Sequence, residues 1–306
     1  MNNIETLYKK YALNPVRFTI KNNIKIIDTD KGRFILKKKK GTDFNNLSAY
    51  LNSRSFNYFP NIISDHNDEY DIFEYVDDVN IPDEQRATDI MYLISLLHNK
   101  TTFYKEIDID EYKKIFEEMT SKIDYLFNYY NDIVTIIESK IYMSPSEYLL
   151  ARNISKIYAS LLFCKKEIKN WFNMVKEKKK MRYVTTHNNL SLDHLIRNNN
   201  PFLISWNKSK IDFPIFDYIS LYEQGYNNLD YSELLKQYED KYPLLEEERK
   251  LLFILISIPE KIEFNNNEYE LCKVINNFLN KTYRSEQLLM PYYSNYQEKE
   301  KTQFNT

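Results

Sequence analysis

The spacing of apolar and polar positions changes character once along the chain, near Pro82. Before it the runs are short. Residues 17–20, 24–28 and 33–38 alternate with the period of two expected of strands. Lys21-Asn22-Asn23 and Thr29-Asp30-Lys31-Gly32 separate them, and Asn, Asp and Gly tolerate the positive φ that tight hairpins need. Residues 44–51 read as a short helix, with Leu47 and Leu51 one turn apart. Residues 61–65 and 70–75 predict a second hairpin across His66-Asn67-Asp68-Glu69. The order is three strands, a helix, then two strands.

Beyond Pro82 the period becomes helical. Residues 84–98 place Ile90, Leu93, Ile94 and Leu97 on one face, and 109–130 and 145–174 are long amphipathic helices. Ser144-Pro145 followed by Glu147 is a strong helix start. A short strand is expected at 202–206, then helices near 231–238, 246–256 and 269–283, with a polar, frayed tail from 291 to 306. The pattern predicts an α+β chain with a β-rich part at 1–76 and a larger helical part at 77–290. No period of 20–50 residues repeats, which argues against a solenoid.

Composition narrows the classes. With 306 residues and a formal net charge of −2, the chain can bury a sizeable core and carries no global attraction for nucleic acid or anionic membrane. Lysine runs at 37–40 and 176–180 read as solvated faces without interleaved aromatics. Cys164 and Cys272 lie far apart in apolar helical patterns, which argues against a disulfide or zinc framework and for a reducing compartment. No apolar run approaches the roughly 18 residues of a membrane span, and the N-terminus lacks signal-peptide character. A cytoplasmic setting is expected. Only three glycines occur, so no glycine-rich phosphate cradle can be read from motif.

The chemistry-bearing stretch is Thr186-His187-Asn188-Asn189-Leu190-Ser191-Leu192-Asp193-His194-Leu195-Ile196. It resembles the catalytic loop, H-G-D-L-x-x-x-N-x-L/I, of the aminoglycoside phosphotransferase and choline kinase-like superfamily, including its bacterial spore-coat kinase-like branch. His187 and Leu190 keep the loop's shape. Asn189 stands where that superfamily has its Asp base, and His194 where it has a metal-binding Asn. An amide cannot take a hydroxyl proton, and imidazole is a poor magnesium ligand.

Other segments extend the resemblance over about two-thirds of the chain, from 18 to 222. Phe34-Ile35-Leu36-Lys37 resembles the kinase V-A-I-K strand, whose Lys holds nucleotide phosphates. Alternation puts Ile35 and Lys37 on one face, an apolar roof beside a cation; the plainer alternative is a surface strand ending in lysines. Its usual Glu partner on the next helix is missing, since between Gly41 and Phe59 the acid present is Asp43, better placed as a helix cap. Phe73-Glu74-Tyr75-Val76 resembles the nucleotide-reading hinge, with Glu74 and Val76 as binding positions. Leu97-His98 resembles the end of the first large-lobe helix, where a structural histidine is expected. Leu203-Ile204-Ser205-Trp206-Asn207 resembles I-D-W-E, with Ser205 in place of the metal-binding Asp and Trp206 in a packing role. Ile211-Asp212-Phe213-Pro214-Ile215-Phe216-Asp217 resembles G-D-P-x-x-D, so Asp217 falls on the structural Asp that braces the loop.

The resemblance implies a protein-kinase-like fold, with a small β-rich N-lobe carrying one helix and a large, mainly helical C-lobe. It implies a catalytically impaired pseudokinase, a binding, scaffold or regulatory protein with no catalytic residue and no metal site expected. ATP or a small molecule in the interlobe cleft and a protein partner remain open, as does a forespore or spore-coat location. The alternatives are an active small-molecule kinase with Asp193 or Asp212 as relocated metal ligands, and an interaction protein with a side-chain-filled cleft.

Overall fold

The computed structural model describes residues 3–21, 24–65, 68–264 and 267–303, except for the side chains of 3, 21 and 294–303. The expected turn residues Asn22, Asn23, His66 and Asn67 lie outside the described residues. The chain forms two compact units. One comprises Met1–Phe103, Tyr183–Gln224 and Leu234–Pro243, the other Tyr104–Arg182, Gly225–Glu233 and Leu244–Thr306.

The first unit begins with α1 (Asn3–Lys10), β1 (Pro15–Lys21), β2 (Ile24–Thr29), β3 (Gly32–Lys38), α2 (Phe44–Ser53), β4 (Tyr70–Glu74) and α3 (Asp83–Thr101). The four strands form an antiparallel sheet in the order β1-β2-β3-β4. Ile26 pairs with Ile35 and Ile35 with Phe73, while Ile27 pairs with Phe34 and Leu36 with Ile72. Period-two alternation therefore divides β3 between two faces. Phe34 and Leu36 join Ile27 and Ile72 in a core closed by Leu7 and Leu13. Ile35 and Lys37 turn the other way. The predicted strands at 17–20, 24–28 and 33–38 are present, each a residue or more longer at one or both ends.

Three expectations need correcting. Helix α1 was not predicted, because eight residues are too few to hold a helix by propensity, and packing of Leu7 against the sheet decides it. Residues 61–65 are not a strand: the pairing there is a single bridge, Ile62 to Phe73. Side chains take over the ladder, since the Ile72 amide donates to Ser64 Oγ at 2.9 Å and the Asp65 amide to the Tyr11 hydroxyl at 2.8 Å. The predicted strand at 202–206 is cut short as well. After β5 (Phe103–Glu106), α4 (Ile109–Glu138), α5 (Pro145–Lys176), β6 (Lys180–Thr186) and β7 (Leu195–Arg197), β8 covers Pro201–Leu203 alone. Ser205 then takes a left-handed φ of 68° and Trp206–Lys208 forms a 3-10 turn, a backbone that cannot continue a pleated ladder.

The remaining elements are β9 (Lys210–Asp212), α6 (Ile215–Gly225), α7 (Tyr231–Glu239), α8 (Glu246–Ser257) and α9 (Glu268–Gln303), the last running well past the expected end near residue 283. In the second unit α5 packs against α4, α8 and α9 and buries Ile157, Leu161, Ile168 and Trp171. Ser144 caps α5 in a reciprocal box with Glu147, as its Ser-Pro-x-Glu start predicts. Arg182 on β6 meets Glu248 in a buried two-pronged ion pair, with Nε at 2.9 Å from Oε1 and Nη2 on Oε2. Among the described residues no helix is long and apolar enough to cross a membrane.

Candidate functional site

The loop 187–194 lies between β6 and β7, and the first unit holds it from several sides. The Asp217 side chain at the start of α6 is fully buried. It accepts from the backbone amides of His187 at 2.9 Å and Asn188 at 2.5 Å. His98 at the end of α3 approaches the same carboxylate through Nε2 at 3.0 Å, and its Nδ1 lies 2.7 Å from the Tyr238 hydroxyl. Asn188 has φ 55°, a conformation that Asn tolerates better than most side chains. The Leu190 amide donates to Ser220 Oγ at 3.0 Å, so α6 anchors the loop at two levels.

The side chains at the catalytic and metal positions are engaged within the loop itself. Asn189 Nδ2 donates to the Ser205 carbonyl oxygen at 3.2 Å. His194 Nδ1 is 2.5 Å from the Asn189 carbonyl oxygen, a contact that requires the ring to donate. His187 Nε2 likewise donates to the Ile204 carbonyl at 2.8 Å, and its ring meets Trp206 edge-on at 4.6 Å. Trp206 is itself buried among Phe44, Phe56 and Phe59. Asp193 is exposed. Asp212 is bound to Lys210 Nζ at 2.6 Å and accepts from the Phe213 amide at 2.9 Å. Of the two carboxylates considered as relocated metal ligands, one is thus exposed and the other held in an ion pair.

Full burial lowers the His187 pKa to about 4, opposed by Asp217 and the Ile204 carbonyl and assisted by His194 and Lys37. The neutral ring leaves Nδ1 buried without a partner. The folded value lies below the 6.5 of the free side chain, so between pH 6.5 and 4 the unfolded chain binds the proton first. This contribution is complete above pH 6.5 and is lost as the pH falls, amounting to about 3 kcal/mol across the window. Urea unfolding at pH 7 and pH 4.5 should show a larger loss for the wild type than for His187→Gln; parallel losses would refute it.

Ile35, Lys37, Glu74 and Val76, from the strand and hinge, line one cavity of about 80 Å³ together with Ser205 and Asn207. That is room for roughly half a dozen water-sized groups. Lys37 Nζ lies 3.4 Å from Asn207 Oδ1, and burial lowers its pKa, with Asp71 pulling the other way. The Glu74 carboxylate accepts from Asn61 Nδ2 at 2.9 Å, and the Tyr75 amide donates to the Arg33 carbonyl. Asp43 caps α2 by accepting from the Asn45 amide at 3.0 Å. Beyond Lys37, the Thr42 amide and hydroxyl donate to the Asn207 and Ser209 carbonyls at 3.2 and 2.7 Å. Gly41, at φ 74°, leaves no room there for a side chain, since a Cβ would sit 2.1 Å from the Asn207 carbonyl oxygen. Sequence reasoning missed Asp71, the residue paired with Lys37 in the β3–β4 register. The signal was available: in Tyr70-Asp71-Ile72-Phe73-Glu74 the acid sits two positions before Phe73, on the cleft-facing side of the strand.

No family model and no curated protein matches the chain. Solved structures do. An aminoglycoside phosphotransferase from Alicyclobacillus acidocaldarius subsp. acidocaldarius is 9% identical, with a TM-score of 0.67 over 93% of each chain. A spectinomycin phosphotransferase in its AMP-bound complex is 12% identical, with a TM-score of 0.53 over 92% of this chain and 96% of that one. The chain thus has the kinase-like fold of the aminoglycoside phosphotransferases, with a small β-rich N-lobe and a helical C-lobe.

Proposed function

We propose that the chain is a pseudokinase: a kinase-like protein that holds a small ligand against β3 and the hinge, transfers no phosphoryl group, and serves as a binding, scaffold or regulatory protein. The observation that carries this reading is the Asn189 amide donating to the Ser205 carbonyl. Phosphoryl transfer needs an acceptor at the first position, to orient the attacking hydroxyl, and a carboxylate at the second to hold magnesium. Here the first residue acts as a donor and the second offers a neutral hydroxyl on a left-handed backbone. His194 already spends Nδ1 on the Asn189 carbonyl. The donor set does not fit magnesium, and no step is assigned through it. A ligand in the cleft is supported by Ile35, Lys37, Glu74 and Val76 lining one cavity and by the AMP bound to the spectinomycin phosphotransferase. A spore-coat setting rests on the loop resemblance alone.

The test is ATP turnover by the purified full chain with magnesium, in the presence and absence of small-molecule hydroxyl acceptors. No product above the rate of a Lys37→Met variant is expected; turnover that Lys37→Met abolishes would sink the reading. Asn189→Asp is expected to restore nothing and to lower stability by about 1–3 kcal/mol in urea unfolding, because it sets a carboxylate against the Ser205 carbonyl and leaves that carbonyl without its donor. A stabilised or active Asn189→Asp protein would show that the asparagine is a simple loss rather than a structural donor.

A further inference from the structure

A second and larger cavity, of about 760 Å³, lies among α5, α8 and α9. The residues that line it all belong to the second unit. None of them is part of the loop 187–194 or of the lining of the cavity beside Lys37. Its volume falls within the roughly 300–1,000 Å³ of small-molecule sites and is ample for a disaccharide.

The floor is polar and deeply buried. Glu167, 4% exposed, accepts from Lys250 Nζ at 2.5 Å, Asn170 Nδ2 at 2.9 Å and the Tyr293 hydroxyl at 3.2 Å. That satisfies the carboxylate but leaves unused capacity around it. The Lys250 side chain is 14% exposed and makes no other hydrogen bond among the described residues, so N–H groups of its ammonium remain unpaired. Asn170 keeps Oδ1 as an acceptor. Ser257 is 7% exposed; its carbonyl accepts from Ser160 Oγ at 2.6 Å, while its hydroxyl has no partner among the described residues. Buried polar groups are rarely left unmatched, so these point to a ligand that completes them.

Charge selects the kind of ligand. The lining cations, Lys166 and Lys250, are balanced by Glu167 and Glu286. An anion drawn to Lys250 would meet the Glu167 carboxylate, and a cation would find that carboxylate already paired. A neutral molecule whose groups both accept and donate fits instead, as sugar hydroxyls do. Phe163 and Leu289 supply an apolar wall for the C–H face of a pyranose ring, and the Phe163 ring is held edge-on against Tyr293 at 5.1 Å.

We propose that this cavity binds a neutral disaccharide, whose hydroxyls accept from Lys250 Nζ and the Ser257 hydroxyl and donate to Asn170 Oδ1, with one ring packed on Phe163. The ligand is held by the second unit alone, independently of the cleft beside β3.

The test is calorimetric titration of the full chain with maltose, cellobiose and N,N′-diacetylchitobiose, beside octanoate as an apolar anion and spermidine as a cation. At least one disaccharide should bind at millimolar concentration, and more tightly than octanoate or spermidine. Ser257→Ala should weaken that disaccharide by about three- to tenfold, the loss of one neutral hydrogen bond. Its urea-unfolding midpoint should stay at the wild-type value, because the hydroxyl has no partner within the chain to lose. Failure of all three disaccharides to bind, tighter binding of octanoate or spermidine, or unchanged disaccharide affinity in Ser257→Ala would each overturn the assignment.

Discussion

Replacing Asp217 by alanine is expected to destabilise the chain by about 3–5 kcal/mol in chemical denaturation, among the larger losses open to a single polar substitution. The carboxylate is fully buried and serves three groups at once: the amides of His187 and Asn188 and the ring of His98. Removing it leaves the buried His187 amide and the part-buried Asn188 amide without acceptors, a loss of about 1–3 kcal/mol for each donor that water cannot reach. Asp217→Asn should cost less, because one carbonyl oxygen survives while the amide group faces a donor. Amide hydrogen exchange at 187–190 should accelerate in Asp217→Ala before global unfolding, since the loop loses its anchor while α3 and α6 keep their apolar packing. A loss under about 1 kcal/mol, or unchanged exchange at these amides, would show that the brace is redundant.

The second large effect lies in the other unit. Arg182 and Glu248 are both nearly inaccessible, and their two-pronged contact joins β6 to the first turn of α8. Glu248 also accepts from the Leu245 amide at 2.9 Å and so caps the helix it belongs to. Arg182→Met should cost about 3–5 kcal/mol, because it strands a buried carboxylate without its counter-ion. The double variant Arg182→Met with Glu248→Gln should recover part of that loss. The recovery distinguishes a penalty for an unpaired charge from simple loss of packing: if the double variant is no better than the single one, the ion pair is not the source.

The fold was readable because its signals are local. Strand alternation at 17–38 and the helical period after Pro82 depend on which residues are apolar, and the hydrophobic effect makes that pattern decide the face each residue buries. The Ser144-Pro145 start worked for the same reason, since a capping box forms within four residues. Failures came where partners are distant. Residues 61–65 look like a strand until Ser64 and Tyr11 take the hydrogen bonds a ladder would use. The stretch 202–206 looks extended until Ser205 turns left-handed.

At the candidate site the division follows the same line. The sequence by itself determined residue type: an amide at 189, a hydroxyl at 205, an imidazole at 194 and a lysine at 37. It also determined their order along a loop and a strand, which is enough to carry a resemblance in fold. Only the tertiary structure decided what these groups do, because their partners lie 5 to 170 residues away. Asn189 proves to be a donor to Ser205, Asp71 a buried carboxylate opposite Lys37, and Thr42 a clasp on the segment after Trp206. Hydrogen bonds are short-ranged and directional, so the pattern of apolar residues can place an element but cannot say which distant carbonyl its side chains will meet.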